Sequence, residues 1–199
     1  MRAVIQRVRS ASVAVDGTIV SACAAIVRSP RHKLTVLLRI NRGLVVLVGV
    51  EIGDTTADCD TLASKIANLK IFPSAASAIV TPSESESAAS SGASTPSDGG
   101  ESTRLEKQWN RSVVSIDGEI LCISQFTLLA SVKKNKPSFH HAERLAAAVA
   151  NELYERVMDK LRSAFGDRKD EKVKPGVFGA YMQVSLVNDG PVTIEVASR

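Results

Sequence analysis

Three stretches of this 199-residue chain hold side chains suited to chemistry. In the first, Ser124-Gln125-Phe126-Thr127-Leu128, the apolar run Ile120-Leu121-Cys122-Ile123 gives way to polar residues. Two hydroxyls, an amide and the backbone N–H groups of a strand end can together build an oxyanion site. The same residues also read as a strand that simply ends, since polar residues are common at strand ends and turns. The second stretch is Asn188-Asp189-Gly190-Pro191-Val192-Thr193. Its Gly-Pro step removes a backbone donor and could hold a cis bond, which would turn two carbonyl oxygens the same way; a trans turn is the ordinary form.

The third stretch is the basic loop Lys133-Lys134-Asn135-Lys136-Pro137-Ser138-Phe139-His140-His141. With Lys160, Arg162, Arg168, Lys169, Lys172 and Lys174 following it, it could form a phosphate-binding face, or it is a solvated run of charge. Metal chemistry has little to work with. His140 and His141 are adjacent, so on a helix their side chains diverge by about 100°, and His32 stands alone. Cys23, Cys59 and Cys122 are scattered and make neither a disulfide framework nor a zinc pattern. No Gly-x-Ser-x-Gly elbow, phosphate loop or dinucleotide fingerprint occurs, and no histidine is recognisably paired with Ser124 or Thr127. A serine-hydrolase triad is therefore unsupported, and neither metal nor cofactor is expected.

The elements that must position these residues read as follows. Residues 3–20 are rich in β-branched side chains, and Asp16-Gly17 between Ser12–Val15 and Thr18–Val20 predicts a hairpin. Cys23 to Ile40 has no clean period. Gly43 to Val50 is a continuous apolar run, as in a strand buried on both faces. Leu62, Ile66 and Leu69 then fall at helical spacing, with Asp54 or Thr55 available as a cap. The Ser, Gly and Glu-rich text between Ser74 and Thr103 cannot bury enough apolar surface to offset its ordering entropy, and reads as a disordered insertion. A second hairpin is expected from Ser112–Ile116, the Asp117-Gly118 turn and the run from Glu119 to Gln125. A long helix is expected from about Ala142 to Phe165, with Leu145, Val149, Leu153, Val157 and Leu161 spaced by four. The run from Met182 to Val196 closes the chain as two strands around an Asn-Asp-Gly-Pro turn. Strands with two helices make this a mixed α/β domain.

Bulk properties fit one globular domain with a core. Apolar residues make up 44% and charged ones 23%, which excludes wholesale disorder. A net charge of +4 and a pI near 9.1 favour an anionic partner only mildly. The opening lacks the apolar core of a secretory signal, and no run of about 18 apolar residues could span a bilayer, so no membrane partner and a reducing, cytoplasmic setting are expected.

Five blocks, taken in order, resemble one family. They are Gln6–Gly17 (QRVRSASVAVDG), Gly43–Glu51 (GLVVLVGVE), Leu121–Ala130 (LCISQFTLLA), Lys136–Phe139 (KPSF) and Gly179–Thr193 (GAYMQVSLVNDGPVT). The combination looks like the D-aminoacyl-tRNA deacylases. The blocks run from residue 2 to the C-terminus, interrupted at about 23–39 and 74–104 by segments that the usual pattern lacks. The resemblance implies a compact three-layer β/β/α single domain working as a homodimer, with active sites at the interface. It implies that Ser124, Gln125, Phe126 and Thr127 line the pocket for the terminal adenosine and the aminoacyl ester. Gly190 and Pro191 match a Gly-cis-Pro element that reaches into the partner's pocket. Phe139, Met182 and Asn188 are carried over from the same blocks as substrate-binding positions.

The implied substrate is the 3′ end of D-aminoacyl-tRNA. Fixed carbonyls near the α-carbon would admit hydrogen or a D side chain and clash with an L one, so glycyl-tRNA would pass as well. The implied reaction needs only a positioned water and an oxyanion site, helped by the RNA's terminal 2′-hydroxyl, and does not require Thr127 to be a nucleophile. The alternative is a catalytically impaired, dimeric tRNA-binding module. A third reading is a β-rich interaction domain whose matches are accidental.

Overall fold

The computed structural model describes residues 1–16, 25–28, 34–74, 109–139 and 145–199. Its strands are β1 (Arg2–Asp16), β2 (Ala25–Arg28), β3 (Leu34–Ile40), β4 (Gly43–Gly49), β5 (Glu119–Ser124), β6 (Ser131–Lys133), β7 (Lys136–Ser138), β8 (Val173–Pro175) and β9 (Met182–Ala197). Its helices are α1 (Thr56–Asn68), α2 (Ala147–Ser163) and the short α3 (Lys169–Lys172). Strand β1 organises the fold because both of its edges are taken. One edge pairs antiparallel with β9 along nearly its whole length; the other pairs antiparallel with β4 over Arg2–Val8 and then with β3 over Ala11–Asp16. From β4 the sheet continues in parallel through β5 to β8, and β2 adds to β3.

Alternation of side chains turns these strands into three layers. Leu44, Val46, Val48, Ile120 and Cys122 face the helices, meeting Leu62 and Ile66 of α1 and Tyr154, Val157 and Met158 of α2. Val45, Leu121 and Ile123 point the other way, into a second cluster with Val8, Ala11, Val13, Leu38 and Ile40. That is why Gly43–Gly49 reads as an unbroken apolar run: both faces are covered, and burying each such side chain is worth roughly 1.5–3 kcal/mol. Strand β1 serves both layers because a register irregularity between Val8 and Ser10 shifts its alternation, so that Ala3 and Ile5 face the helices while Val8, Ala11 and Val13 share the second cluster.

Several expectations are corrected. The hairpin expected over 112–125 does not form: residues 113–117 make a turn closed by Gly118 N–H donating to the Val113 carbonyl (2.9 Å), with buried Val113 plugging the core. Both edges of β5 are already occupied in parallel by β4 and β8. The closing segment is one strand, not two, because β1 runs alongside it throughout. Segment 23–39, without a clean period in sequence, supplies β2 and most of β3, the latter paired on β1. Helix α2 starts at Ala147, and Val149 is exposed; Leu153, Val157 and Leu161 make the buried stripe, with Tyr154 and Met158 beside it. The Asp16-Gly17 turn with Thr18–Val20, the serine-rich stretch beyond Ser74, His32 and His140-His141 lie outside the described residues. Among the described residues no helix is long and apolar enough to cross a membrane.

Of the two expected caps of α1, Asp54 and Thr55, the helix uses Thr55. Its hydroxyl accepts from Asp58 N–H (3.4 Å), while the Asp58 carboxylate accepts from Thr55 N–H (3.0 Å) and Thr55 Oγ1 (2.8 Å) and pairs with Arg199 (3.0 Å). The Thr55 hydrogen bonds, helped by Arg199, hold the Asp58 carboxyl down to about 2. A folded-state value below the ordinary 3.8 stabilises the fold at higher pH, and the contribution is lost as the pH falls through about 2. Asp58→Asn is therefore expected to lower the melting temperature at neutral pH, with the gap to wild type closing on acidification across that window. A gap independent of pH would contradict the assignment.

Candidate active site

The parallel strands β4 and β5 end side by side, and their ends open onto a cavity of about 570 Å³. Val48 and Ile123 form part of its floor, Ala147 and Ala150 come from the start of α2, and Phe178, Met182 and Val184 close it from the segment leading into β9. Against these apolar walls stands one polar rim, Ser124 to Thr127. The rim is built by a change of backbone. Gln125 N–H donates to the Val48 carbonyl (2.7 Å), fixing the strand end, and Phe126–Leu129 then turn as a single 3₁₀ helix anchored by buried Leu129. The first N–H groups of such a turn have no acceptor inside it, and the two residues that carry them, Phe126 and Thr127, both line the cavity.

Side chains complete the rim. Gln125 Nε2 donates to Thr127 Oγ1, which ties the amide to the hydroxyl. Phe126 is 57% exposed and packs edge-to-face on Phe139, with ring centroids 5.2 Å apart. This packing joins the turn to the end of β7. Behind the rim, Tyr154 Oη donates to the Cys122 carbonyl (2.8 Å), and Gly176 N–H donates to the same oxygen (2.7 Å), so α2 and the residue that follows β8 both hold β5 two residues before Ser124. Burial pushes the Cys122 thiol up to about 12 and the Cys59 thiol up to about 11, which leaves both protonated and inert as nucleophiles.

The structure thus brings together Ser124, Gln125, Phe126, Thr127 and Met182 in the cavity lining, with Phe139 packed on Phe126. It does not bring Asn188, Gly190 or Pro191 into the same cavity. Those residues lie further along β9, where one residue of β1, Arg7, faces four of β9, residues 189–192, between the pairs Gln6↔Thr193 and Val8↔Asn188. Asp189–Val192 therefore bulge out of the sheet, and the Gly190-Pro191 bond is cis. Gly190 has φ +134, and a Cβ there would sit 2.9 Å from Val192 N, so the bulge requires glycine.

Arg7 holds this bulge, and sequence reasoning missed it. Its Nε donates to the Asp189 carbonyl (2.9 Å), another guanidinium nitrogen donates to the Ile71 carbonyl, and it pairs with the Asp189 carboxylate (3.3 Å) while lying over the Phe72 ring. Burial draws its pKa down and Asp189 opposes this. The signal that could have found it is an arginine in alternation with Ala3 and Ile5, on the face of β1 that they bury, where a charge needs a partner.

Residues 4–87 and 101–197 match the family model described as D-Tyr-tRNA(Tyr) deacylase. The chain belongs to this family. The unmatched residues 88–100 fall inside the serine-rich stretch, whereas the match runs unbroken through 23–39. The chain is 41% identical over 200 residues to the D-aminoacyl-tRNA deacylase of Yarrowia lipolytica, covering 100% of this chain and 98% of that one. The solved structure named "c-Myc DNA Unwinding Element Binding Protein" superposes with a TM-score of 0.70 at 34% identity, over 100% of this chain and 99% of that one. A second, "Structural Analysis of a probable eukaryotic D-amino acid tRNA deacylase", gives a TM-score of 0.64 at 17% identity over 98% and 97%, and shares the fold. In this deacylase-family chain the Ser124–Thr127 turn and the Gly190-Pro191 bulge are separate constructions on one sheet.

Proposed function

We propose that the chain hydrolyses the ester bond of D-aminoacyl-tRNA, releasing a free D-amino acid and tRNA and so proofreading chirality in translation. The observation that carries this reading is the polar 3₁₀ turn at the rim of an apolar cavity, in a chain of the deacylase family. A cavity of about 570 Å³ suits a small-molecule-sized group such as an aminoacylated terminal nucleoside. The ester is already activated, so water positioned at the rim attacks its carbonyl while the Phe126 and Thr127 N–H groups receive the developing negative charge. No protein nucleophile is required. Ser124, Gln125 and Thr127 shape and hydrate the pocket, and Met182 and Phe139 contact the substrate.

Handedness requires the second construction. Gly190-Pro191 lies outside the cavity of its own chain, so a homodimer in which each bulge enters the partner's cavity would complete two sites at the interface, with Asn188 beside the bulge. Rigid carbonyls placed there exclude an L side chain and admit a D side chain or the hydrogen of glycine. The decisive measurement is deacylation of matched D-tyrosyl-, L-tyrosyl- and glycyl-tRNA. Cleavage of the D and glycyl substrates with the L substrate spared is expected. Equal rates on D and L would overturn the reading, binding without cleavage would favour an impaired tRNA-binding module, and a strictly monomeric chain at working concentration would remove the shared site.

A further inference from the structure

The hairpin formed by β6 and β7 is not used by the reaction described above. It carries Lys133, Lys134 and Lys136, all exposed, and among the described residues none of their three side chains has a hydrogen bond or ion pair. Several other basic side chains are engaged: Arg168 and Lys172 on Asp117, Lys174 on Glu119, and Arg156 on Asp60. Nor does local sequence offer a counter-charge, since no Asp or Glu occurs between Glu119 and Glu143.

The turn itself gives an independent signal. Lys134 has φ 48 and Asn135 φ 62, so both central residues of the two-residue loop are left-handed. Such loops favour Asn, Asp or Gly at these positions; Asn135 suits the geometry and a lysine does not. A lysine held in an unfavourable backbone conformation points to a use for its charge. The position of the hairpin says where that use lies. Strand β6 begins two residues after Leu129 ends the pocket turn, and β7 runs into Phe139, which packs edge-to-face on Phe126 of the cavity lining. Lys136 is three residues from Phe139, a span of about 10 Å when extended.

We infer that the β6–β7 hairpin is a phosphate clamp, in which Lys133, Lys134 and Lys136 hold the sugar-phosphate backbone of the RNA strand whose end enters the cavity. This rests on the substrate reading above. Ammonium groups act on phosphate as point charges, without the planar geometry that base or carboxylate recognition demands, so the clamp adds affinity and register rather than sequence preference.

The test uses the full chain, with Lys134→Asn and the triple variant Lys133→Gln/Lys134→Asn/Lys136→Gln. Binding of uncharged tRNA is measured across a salt series, and kcat and KM are measured for D-tyrosyl-tRNA and for the D-tyrosyl ester of adenosine, which has no phosphate. The slope of log Kd against log salt is expected to become shallower by about 0.7 for each phosphate that is no longer neutralised, with the triple variant binding tRNA about tenfold more weakly at low salt. KM for D-tyrosyl-tRNA rises in parallel. Turnover of the adenosine ester stays at the wild-type value, and Lys134→Asn melts no lower than wild type. A wild-type salt slope in the triple variant overturns the clamp, as does an equal loss on the phosphate-free ester. If the wild-type chain cleaves neither ester yet its tRNA binding depends on the lysines, the hydrolase reading fails and the clamp stands.

Discussion

Gly43→Ala is expected to cost at least about 4 kcal/mol of folding stability, or to prevent folding, although it adds one methyl group. A Cβ on Gly43 would lie 1.8 Å from the Glu119 carbonyl oxygen and 2.7 Å from Glu119 C and N. All three are backbone atoms, so no rotamer change relieves the clash. The only relief is to separate β4 from β5, and Gly43 is the residue at which their parallel register begins, opposite Glu119 and also paired with Val8 of β1. Opening that corner exposes Leu44 and Ile120 of the helix-facing core and loosens the strand that ends at Ser124. Urea unfolding of the variant should show a large fall in midpoint with little change in slope, and deacylation should fall with the folded fraction. A midpoint close to wild type would mean that the two strands are further apart than the structure places them.

Gly43 also shows what was legible in the sequence. The apolar run after it announced a strand buried on both faces, but nothing local said that its first residue must lack a side chain, because the atom it would strike is 76 residues away, in Glu119. The same division recurs. Helix α1 was readable because its period and its cap lie within one stretch of chain. The Ser124–Thr127 turn was visible as the place where an apolar strand becomes polar, and its shape follows from the Val48 carbonyl that fixes Gln125. The Asn188–Pro191 segment was misread as a hairpin turn because a bulge and a reversal use the same residues, and only the partner strand decides between them. With β1 alongside and Arg7 opposite, the chain bulges and continues. The Glu119 hairpin failed for a related reason: turn chemistry at Asp117-Gly118 is local, whereas the occupation of both β5 edges is not.

The proposed chemistry makes a demand on backbone atoms that side-chain substitution alone does not probe, and proline supplies the missing probe. Phe126 opens the 3₁₀ turn, a position where proline is tolerated, and the residue before it, Gln125, is at φ −144 and ψ 89, outside the α region that a following proline disfavours. Phe126→Pro therefore deletes one N–H from the oxyanion site while leaving the turn geometrically possible. It also deletes the aromatic ring that packs on Phe139, and Phe126→Ala removes that ring while keeping the N–H. The alanine variant is expected to weaken substrate binding, read mainly in KM. The proline variant should fall about 100-fold further in kcat, the scale on which a single oxyanion donor acts. Circular dichroism and melting temperature of the two variants check that the difference is chemical. Equal kcat in the two would move the oxyanion away from the Phe126 N–H and leave the Thr127 N–H, the next free donor along the turn, to carry the charge.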